Sequence, residues 1–276
     1  MNRTECKVCF HHCNLEEGQT GICKARKNTS GQVVSTNYGK LTSVALDPIE
    51  KKPLAFYRPG SKILSIGSFG CNLSCPFCQN YEIADAKEEE FSRLYQISPK
   101  ELVEIAKRET VNGNIGVAYT YNEALVGYEY VRDCAKLLRR EHMANVLVTN
   151  GCASMEVAEE VIPLMDAINI DVKGFRQENY DALGGDLESV KRFVIRAAES
   201  CHVELTTLIV PGLNDGSLDM EEEAKWIASI DKNIPLHITR YFPRYKMREP
   251  ATDIETMKVL KEVADKYLTH VLLGNV

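Results

Sequence analysis

Three cysteines set close together, Cys71, Cys75 and Cys78, occupy the run GCNLSCPFCQN with the spacing Cys-x3-Cys-x2-Cys. Thiolates are soft ligands that suit iron–sulfur clusters and zinc. A [4Fe–4S] cluster that only carries electrons takes four protein thiolates, one per iron. Three thiolates with no fourth nearby leave one iron with an open position, the mark of a reactive centre, whereas a structural zinc site needs four closed ligands. A second constellation, Cys6-x2-Cys9-x3-Cys13-x9-Cys23, is followed by Lys24, Arg26 and Lys27. Its four thiols can close a tetrahedral zinc site that holds a segment without a core of its own. They can equally hold a second [4Fe–4S] cluster relaying electrons to the first, and His11 and His12 offer substitute ligands. Only Cys134, Cys152 and Cys201 stand apart from these groups. Clusters of this kind read as metal centres in a reducing compartment, not as disulfides spread through a secreted scaffold.

The elements that must position these residues alternate along most of the chain. Residues 1–59 read as an N-terminal cysteine-rich segment with a short β extension, in which VVSTNY and LTSVAL bracket a Gly-Lys turn. From residue 60 to 276 strand and helix patterns alternate. ILSIGS (63–68) runs into the cysteine loop, and an acidic stretch from Asp85 to Glu90 reads as a solvated loop. Ser98, Pro99 and Glu101 make a capping box at the start of SPKELVEIAKRE. Strands follow at 114–120, 145–150, 167–173, 202–210, 235–239 and 270–274, with helices between them. Such alternation means a parallel sheet covered by helices, either an open sheet or a partial (β/α)6 barrel resembling a TIM barrel. In both, chemistry sits at the carboxyl ends of the strands. Cys71, Asn122, Glu123, Asn150, Lys173 and His237 all fall at or near such ends. Alternation also puts Asp171 and Lys173 on one face of AINIDVK, a costly pair to bury without partners.

Taken whole, 276 residues suit one large domain or one with a small appendage. A net charge of −6 argues against a general nucleic-acid binder, which presents a basic face to phosphates. No run of about 18 apolar residues suggests a membrane span, and MNRTECKVCF lacks a secretory signal's apolar stretch, so a cytoplasmic location is expected.

The cysteine loop, with Phe77 as the aromatic before its last cysteine, resembles the signature of the radical S-adenosylmethionine (SAM) superfamily. Residues 60–245 resemble the branch of pyruvate formate-lyase activating enzymes. The resemblance implies that SAM chelates the open iron and is reductively cleaved to methionine and a 5′-deoxyadenosyl radical, which abstracts a substrate hydrogen. It implies an electron donor of flavodoxin or ferredoxin type and a protein, peptide or small-molecule substrate. Thr120-Tyr121-Asn122-Glu123 stands where the branch has Gly-Gly-Glu, so Asn122 and Glu123 are expected to accept from the SAM ammonium, the alternative being that Asn122 caps the next helix. Thr149-Asn150-Gly151 and Val210-Pro211-Gly212 match branch segments, and Asn150 is expected near the ribose or backbone. Asp171-Val172-Lys173 resembles Asp-Leu-Lys, with Lys173 meeting the SAM carboxylate and Asp171 orienting the site or binding a cation. Val148 replaces an acidic residue and Thr206 an arginine. His237 is expected either at the adenosyl moiety or as a satisfied core residue.

CKVCFHHCNLEEGQTGICKARKN, GCNLSCPFCQNYEIA, AYTYNEA and LHITRYFPRYKM together resemble the AmmeMemoRadiSam-system radical SAM enzymes. That resemblance implies Memo-like and Amme-type proteins as partners. Many relatives of that group continue into a cysteine-bearing tail, so a chain ending at Val276 is expected to be a short member or a truncated form. The reading from another class is a non-catalytic iron–sulfur electron carrier or metal-binding scaffold.

Overall fold

A computed structural model describes residues 3–276. Its centre is one eight-stranded sheet: β1 (Ser43–Pro48), β2 (Lys62–Gly67), β3 (Asn114–Tyr119), β4 (Ala144–Thr149), β5 (Ala167–Asp171), β6 (His202–Ile209), β7 (Leu236–Arg240) and β8 (Val271–Gly274). Each strand lies beside the next in sequence. β1 runs antiparallel to β2, and every later pair is parallel. A strand order that never reverses is that of a barrel and excludes the switch point of a doubly wound sheet. With β1 and β8 at opposite edges, the barrel stays partial.

The helices form where the sequence signals them. Ser98 accepts from the Glu101 N–H and Glu101 accepts in return at the head of Pro99–Arg108, whose Leu102, Val103 and Ala106 turn inward. Ser154, Asp186 and Asp253 cap Met155–Val161, Leu187–Ala198 and Ile254–Ala264. Pro163 cannot continue an α-helix, and Met155–Val161 gives way there to the 3-10 turn Ile162–Leu164.

Three local readings change. VVSTNY and LTSVAL do not pair with each other. Gln32–Ser35 pairs instead with Arg26–Thr29 across Ser30-Gly31, both at positive φ, and Ser43–Pro48 joins the main sheet as its edge. The division expected at residue 59 therefore falls within the first connection of the sheet. An additional helix, Gln177–Leu183, ends on left-handed Gly184. The acidic stretch carries a 3-10 turn, Glu88–Glu90, with Glu88 paired to Lys40 at 2.5 Å.

The amino end of the barrel is closed by the chain between β1 and β2. Ile49 and Leu54 pack on Ile63, Ala118, Val146 and Ala167. Above this apolar plug lies Glu204, wholly buried, which accepts from the Ala55 and Phe56 N–H groups at 2.9 and 2.8 Å. The other end is open. No helix among the described residues is long and apolar enough to cross a membrane.

Candidate active site at the carboxyl ends of the strands

Cys71, Cys75 and Cys78 line one cavity of about 270 Å³ at the carboxyl ends of the strands. Phe77, Asn122, Glu123, Asn150, Asp171, Lys173 and Thr206 line it too. His237 does not. Its ring is buried against Glu204, Nε2 to Oε2 at 2.6 Å, and the other carboxylate oxygen holds His202 at 2.8 Å. The alternative of a satisfied core histidine is the one the geometry follows. Thr239, two residues on along β7, faces the cavity in its place. A separate void of about 30 Å³ beside Asn37 and Leu41 carries none of the cysteines, carboxylates or amines.

The cysteine loop is held from several sides. Asn122 accepts from the Ser68 N–H at 2.9 Å and donates to the Phe69 and Gly70 carbonyls at 3.2 and 3.0 Å, just ahead of Cys71. Glu123, not Asn122, caps the following turn, accepting from Leu125 N–H at 3.0 Å. Its two oxygens also accept from the Thr149 hydroxyl and the Asn150 N–H, both at 2.8 Å. Asn150 in turn donates to Asn72 Oδ1 at 2.9 Å and points its amide at Cys71 Sγ, 3.8 Å away. Polar atoms expected to face a ligand are thus engaged in fixing the loop. Thr206 is similarly occupied, sharing hydrogen bonds with Asn169.

Burial dominates the electrostatics. It pushes the Cys71 and Cys78 thiols up and Cys75 to about 11. On Cys75 and Cys78 the Lys173 charge acts the other way. Burial opposes the charge of Lys173 as well, but the Asp171 carboxylate, 2.8 Å away, outweighs it and holds the amine protonated. Burial raises the Glu123 carboxyl despite its three donors. Three thiols that resist ionisation alone, gathered on one wall beside a fixed cation, fit a cationic cluster that supplies the missing compensation.

The N-terminal thiols gather beside this loop. Cys6, Cys9 and Cys23 are buried, Cys13 is half-buried, and all are free. Burial raises Cys9 to about 11 and Cys23 to about 12, and Cys6 acts on both thiols. Among the described residues no three side chains close on a single-ion geometry. His11 donates from Nε2 to the Asn72 carbonyl at 2.9 Å, and a Cβ on Gly70 would sit 2.5 Å from the Cys23 carbonyl.

Asn72 is a neighbour of the site that sequence reasoning missed, and Tyr121, within the Thr120–Glu123 segment already singled out, lines the cavity. Asn72 is buried and joins the loop to Cys152 O at 2.9 Å. Its signal was a polar residue directly after the first cysteine of the loop. Tyr121 has a φ of 72°, takes an Asn80 hydrogen bond at its carbonyl (2.8 Å), and donates its hydroxyl to Asp47 at 2.6 Å. Gly67 makes room for it, since a Cβ there would lie 2.9 Å from the Tyr121 Cβ. No pattern in the sequence signals that conformation.

A partial barrel with a three-cysteine loop after its first parallel strand defines a class, and the radical SAM superfamily profile matches residues 65–225. The chain belongs to the radical SAM superfamily. It is 36% identical over 279 residues to an uncharacterized protein of Methanocaldococcus jannaschii, covering 100% of this chain and 82% of that one. It is 26% identical over 164 residues to the pyruvate formate-lyase 1-activating enzyme of Escherichia coli K12, covering 57% of this chain and 64% of that enzyme. Among solved structures, Streptococcus suis SuiB bound to S-adenosylmethionine superposes with a TM-score of 0.58 at 13% identity, over 78% of this chain and 52% of that one. A radical SAM methyltransferase from Sphaerobacter thermophilus gives 0.57 at 13% identity, over 89% and 70%. These structural likenesses bear on the fold alone.

Proposed function

We propose that Cys71, Cys75 and Cys78 hold a [4Fe–4S] cluster and that the chain is an activase-like enzyme acting on a C–H bond of a partner protein, peptide or small molecule. When bound, the cluster and SAM supply a 5′-deoxyadenosyl radical by one-electron cleavage. The observation that carries the reading is the meeting of three buried thiols and the Asp171–Lys173 pair in one cavity. Lys173 receives the SAM carboxylate, and Asp171 orients the amine. Phe77, 3% exposed and packed on Leu183, Val210 and Tyr241, shields the thiols from water. Asn122, Glu123 and Asn150 set the loop's shape and the floor beneath the ligand. Thr206 binds at that floor without the charge an arginine would bring.

The N-terminal thiols form a second metal centre, either zinc or a further iron–sulfur cluster, and total iron and zinc distinguish the two. A cytoplasmic location, a donor of flavodoxin or ferredoxin type, and Memo-like and Amme-type partners belong to the same proposal.

The test is anaerobic reconstitution followed by incubation with SAM and dithionite. We expect 5′-deoxyadenosine from wild type, and from Lys173→Met a weakened response of the cluster's paramagnetic resonance signal to added SAM with unchanged iron. A full cluster that gives no 5′-deoxyadenosine and ignores SAM overturns the reading in favour of an electron carrier.

A further inference from the structure

The segment after β7, RYFPRYKMR (240–248), carries Arg240, Arg244, Lys246 and Arg248 and no carboxylate until Glu249, in a chain whose net charge is −6. Its place in the fold is against the cysteine loop. The Lys246 and Met247 N–H groups donate to the carbonyl of Pro76, between Cys75 and Cys78, at 2.9 and 3.2 Å. Tyr241 is buried against Phe77. Tyr245 stacks on Tyr81 with ring centres 4.5 Å apart and gives its hydroxyl to Asp85 at 2.6 Å. Lys24 holds the same carboxylate.

The cations of the strip lie over aromatic faces: Arg240 over Phe242, Arg244 over Tyr81 and Lys246 over Tyr245, at 5.1, 5.7 and 4.6 Å. Arg248 spends its guanidinium on the carbonyls of Tyr245 and Met247. Such contacts fix the cations in place without neutralising them. Arg244, Lys246 and Arg248 are exposed, as is Phe242. The nearby carboxylates are few: Asp85 is already shared by Lys24 and Tyr245, Glu82 accepts from Tyr81 at 3.3 Å, and Glu249 takes the Arg248 N–H at 3.1 Å.

We propose that this strip is the docking surface for an acidic electron-carrying protein, an inference that rests on the radical SAM reading of the adjoining cavity. A substrate protein would need to reach the cavity, because hydrogen abstraction demands near contact of the reacting atoms. No residue from 240 to 248 lines that cavity. What the strip touches is the polypeptide shell of the cluster, which an electron can cross without the carrier entering. The step balances: the reduced carrier loses one electron, the oxidised cluster gains one, and no proton moves. Complementary charge raises the encounter rate 10- to 10³-fold at low salt and loses this effect as salt rises.

The experiment follows cluster bleaching in stopped flow with the holoenzyme, using an acidic reduced flavodoxin and an acidic reduced ferredoxin as probes and dithionite as the small reductant. The test variant is Arg244→Glu/Lys246→Glu; the control is Lys100→Glu/Arg108→Glu on the exposed face of helix Pro99–Arg108. We expect the test variant to be reduced at least tenfold more slowly than wild type by one or both proteins at low salt. The rates should converge at high salt, with dithionite reduction and dithionite-driven SAM cleavage unchanged. The control should match wild type. Equal protein-driven rates for test variant and wild type, reduction by neither protein, or an equal loss with dithionite each overturns the proposal. Loss of substrate turnover alone, with reduction intact, reassigns the strip to a substrate protein and overturns it too. Failure of wild type to cleave SAM with dithionite would instead refute the reading of the cavity.

Discussion

Glu123 is the residue through which the third parallel strand and the cysteine loop are joined, and Glu123→Gln tests that joint with almost no change in volume. The wild-type carboxylate is 4% exposed and accepts three hydrogen bonds on two oxygens. A carboxamide offers one oxygen. Kept at the position that serves Leu125 and Thr149, it turns its NH2 toward the Asn150 N–H and leaves that donor without an acceptor. Flipped, it faces the Leu125 N–H instead. The first placement loses less, and an unsatisfied buried donor costs about 1–3 kcal/mol. At roughly 2–4 °C per kcal/mol for a chain of this size class, the thermal midpoint falls by several degrees. The loss is not confined to stability, because Asn150 carries the contacts to Asn72 and Cys71. The expected outcome is lower urea stability of the apoprotein, together with full iron content and slower 5′-deoxyadenosine formation. A variant with the wild-type urea midpoint, or one destabilised yet cleaving SAM at the wild-type rate, would refute the reasoning.

Two further outcomes follow from the barrel's other end and from the loop itself. Burial works against the Glu204 charge, but His202, His237 and two backbone N–H groups outweigh it and hold the carboxyl at about 2, below its usual 4.5. A depressed folded pKa gives stability that is present above 4.5 and lost as pH falls through 2, here on the order of 3 kcal/mol at 1.36 kcal/mol per unit. Urea midpoints measured across that window should therefore fall less steeply in Glu204→Gln than in wild type, and equal slopes would remove Glu204 from the account. Gly70→Ala places a Cβ 2.7 Å from the Ala25 Cβ and 2.5 Å from the Cys23 carbonyl, at a φ of 91°. It should cost more than about 1 kcal/mol and lower cluster occupancy, as read by iron per chain after reconstitution, whereas Gly60→Ala, with no neighbour within 4 Å, should leave occupancy unchanged.

Most of the barrel was legible because its signals are local. Capping residues such as Ser98 and Asp253 announce helices within a single turn, and the apolar strands between them leave few alternatives. The N-terminal pairing was less so. Val33 and Val44 both read as strand residues, yet which strand each joins is decided at a distance, by Arg26–Thr29 folding back over Ser30-Gly31 and by the long antiparallel register of β1 with β2. The short helix Gln177–Leu183 was hidden for a different reason. It lacks a capping side chain, and its function is tertiary: the Tyr180 hydroxyl accepts from the Lys173 N–H at 3.0 Å, fixing the segment that carries the cation.

The cavity residues divide along a single geometric distinction. Alternation along a strand reveals which face a residue takes but not how deep it lies. His237 and Thr239 face the same way, as do Glu204, Thr206 and Leu208, and two residues of strand amount to about 6.6 Å of depth. That step separates the open cavity from the layer beneath it. Thr206, Leu208 and Thr239 line the cavity, while Glu204 and His237 lie below and pair with each other. A histidine in an inward strand position near the cavity therefore satisfies the sequence pattern at either depth. What decides is whether a buried acid waits one layer down, and here Glu204 does. The polar middle of this barrel is consequently a support for the cavity layer, with the Ala55–Phe56 turn locked beneath it and the three cysteines lining the cavity above.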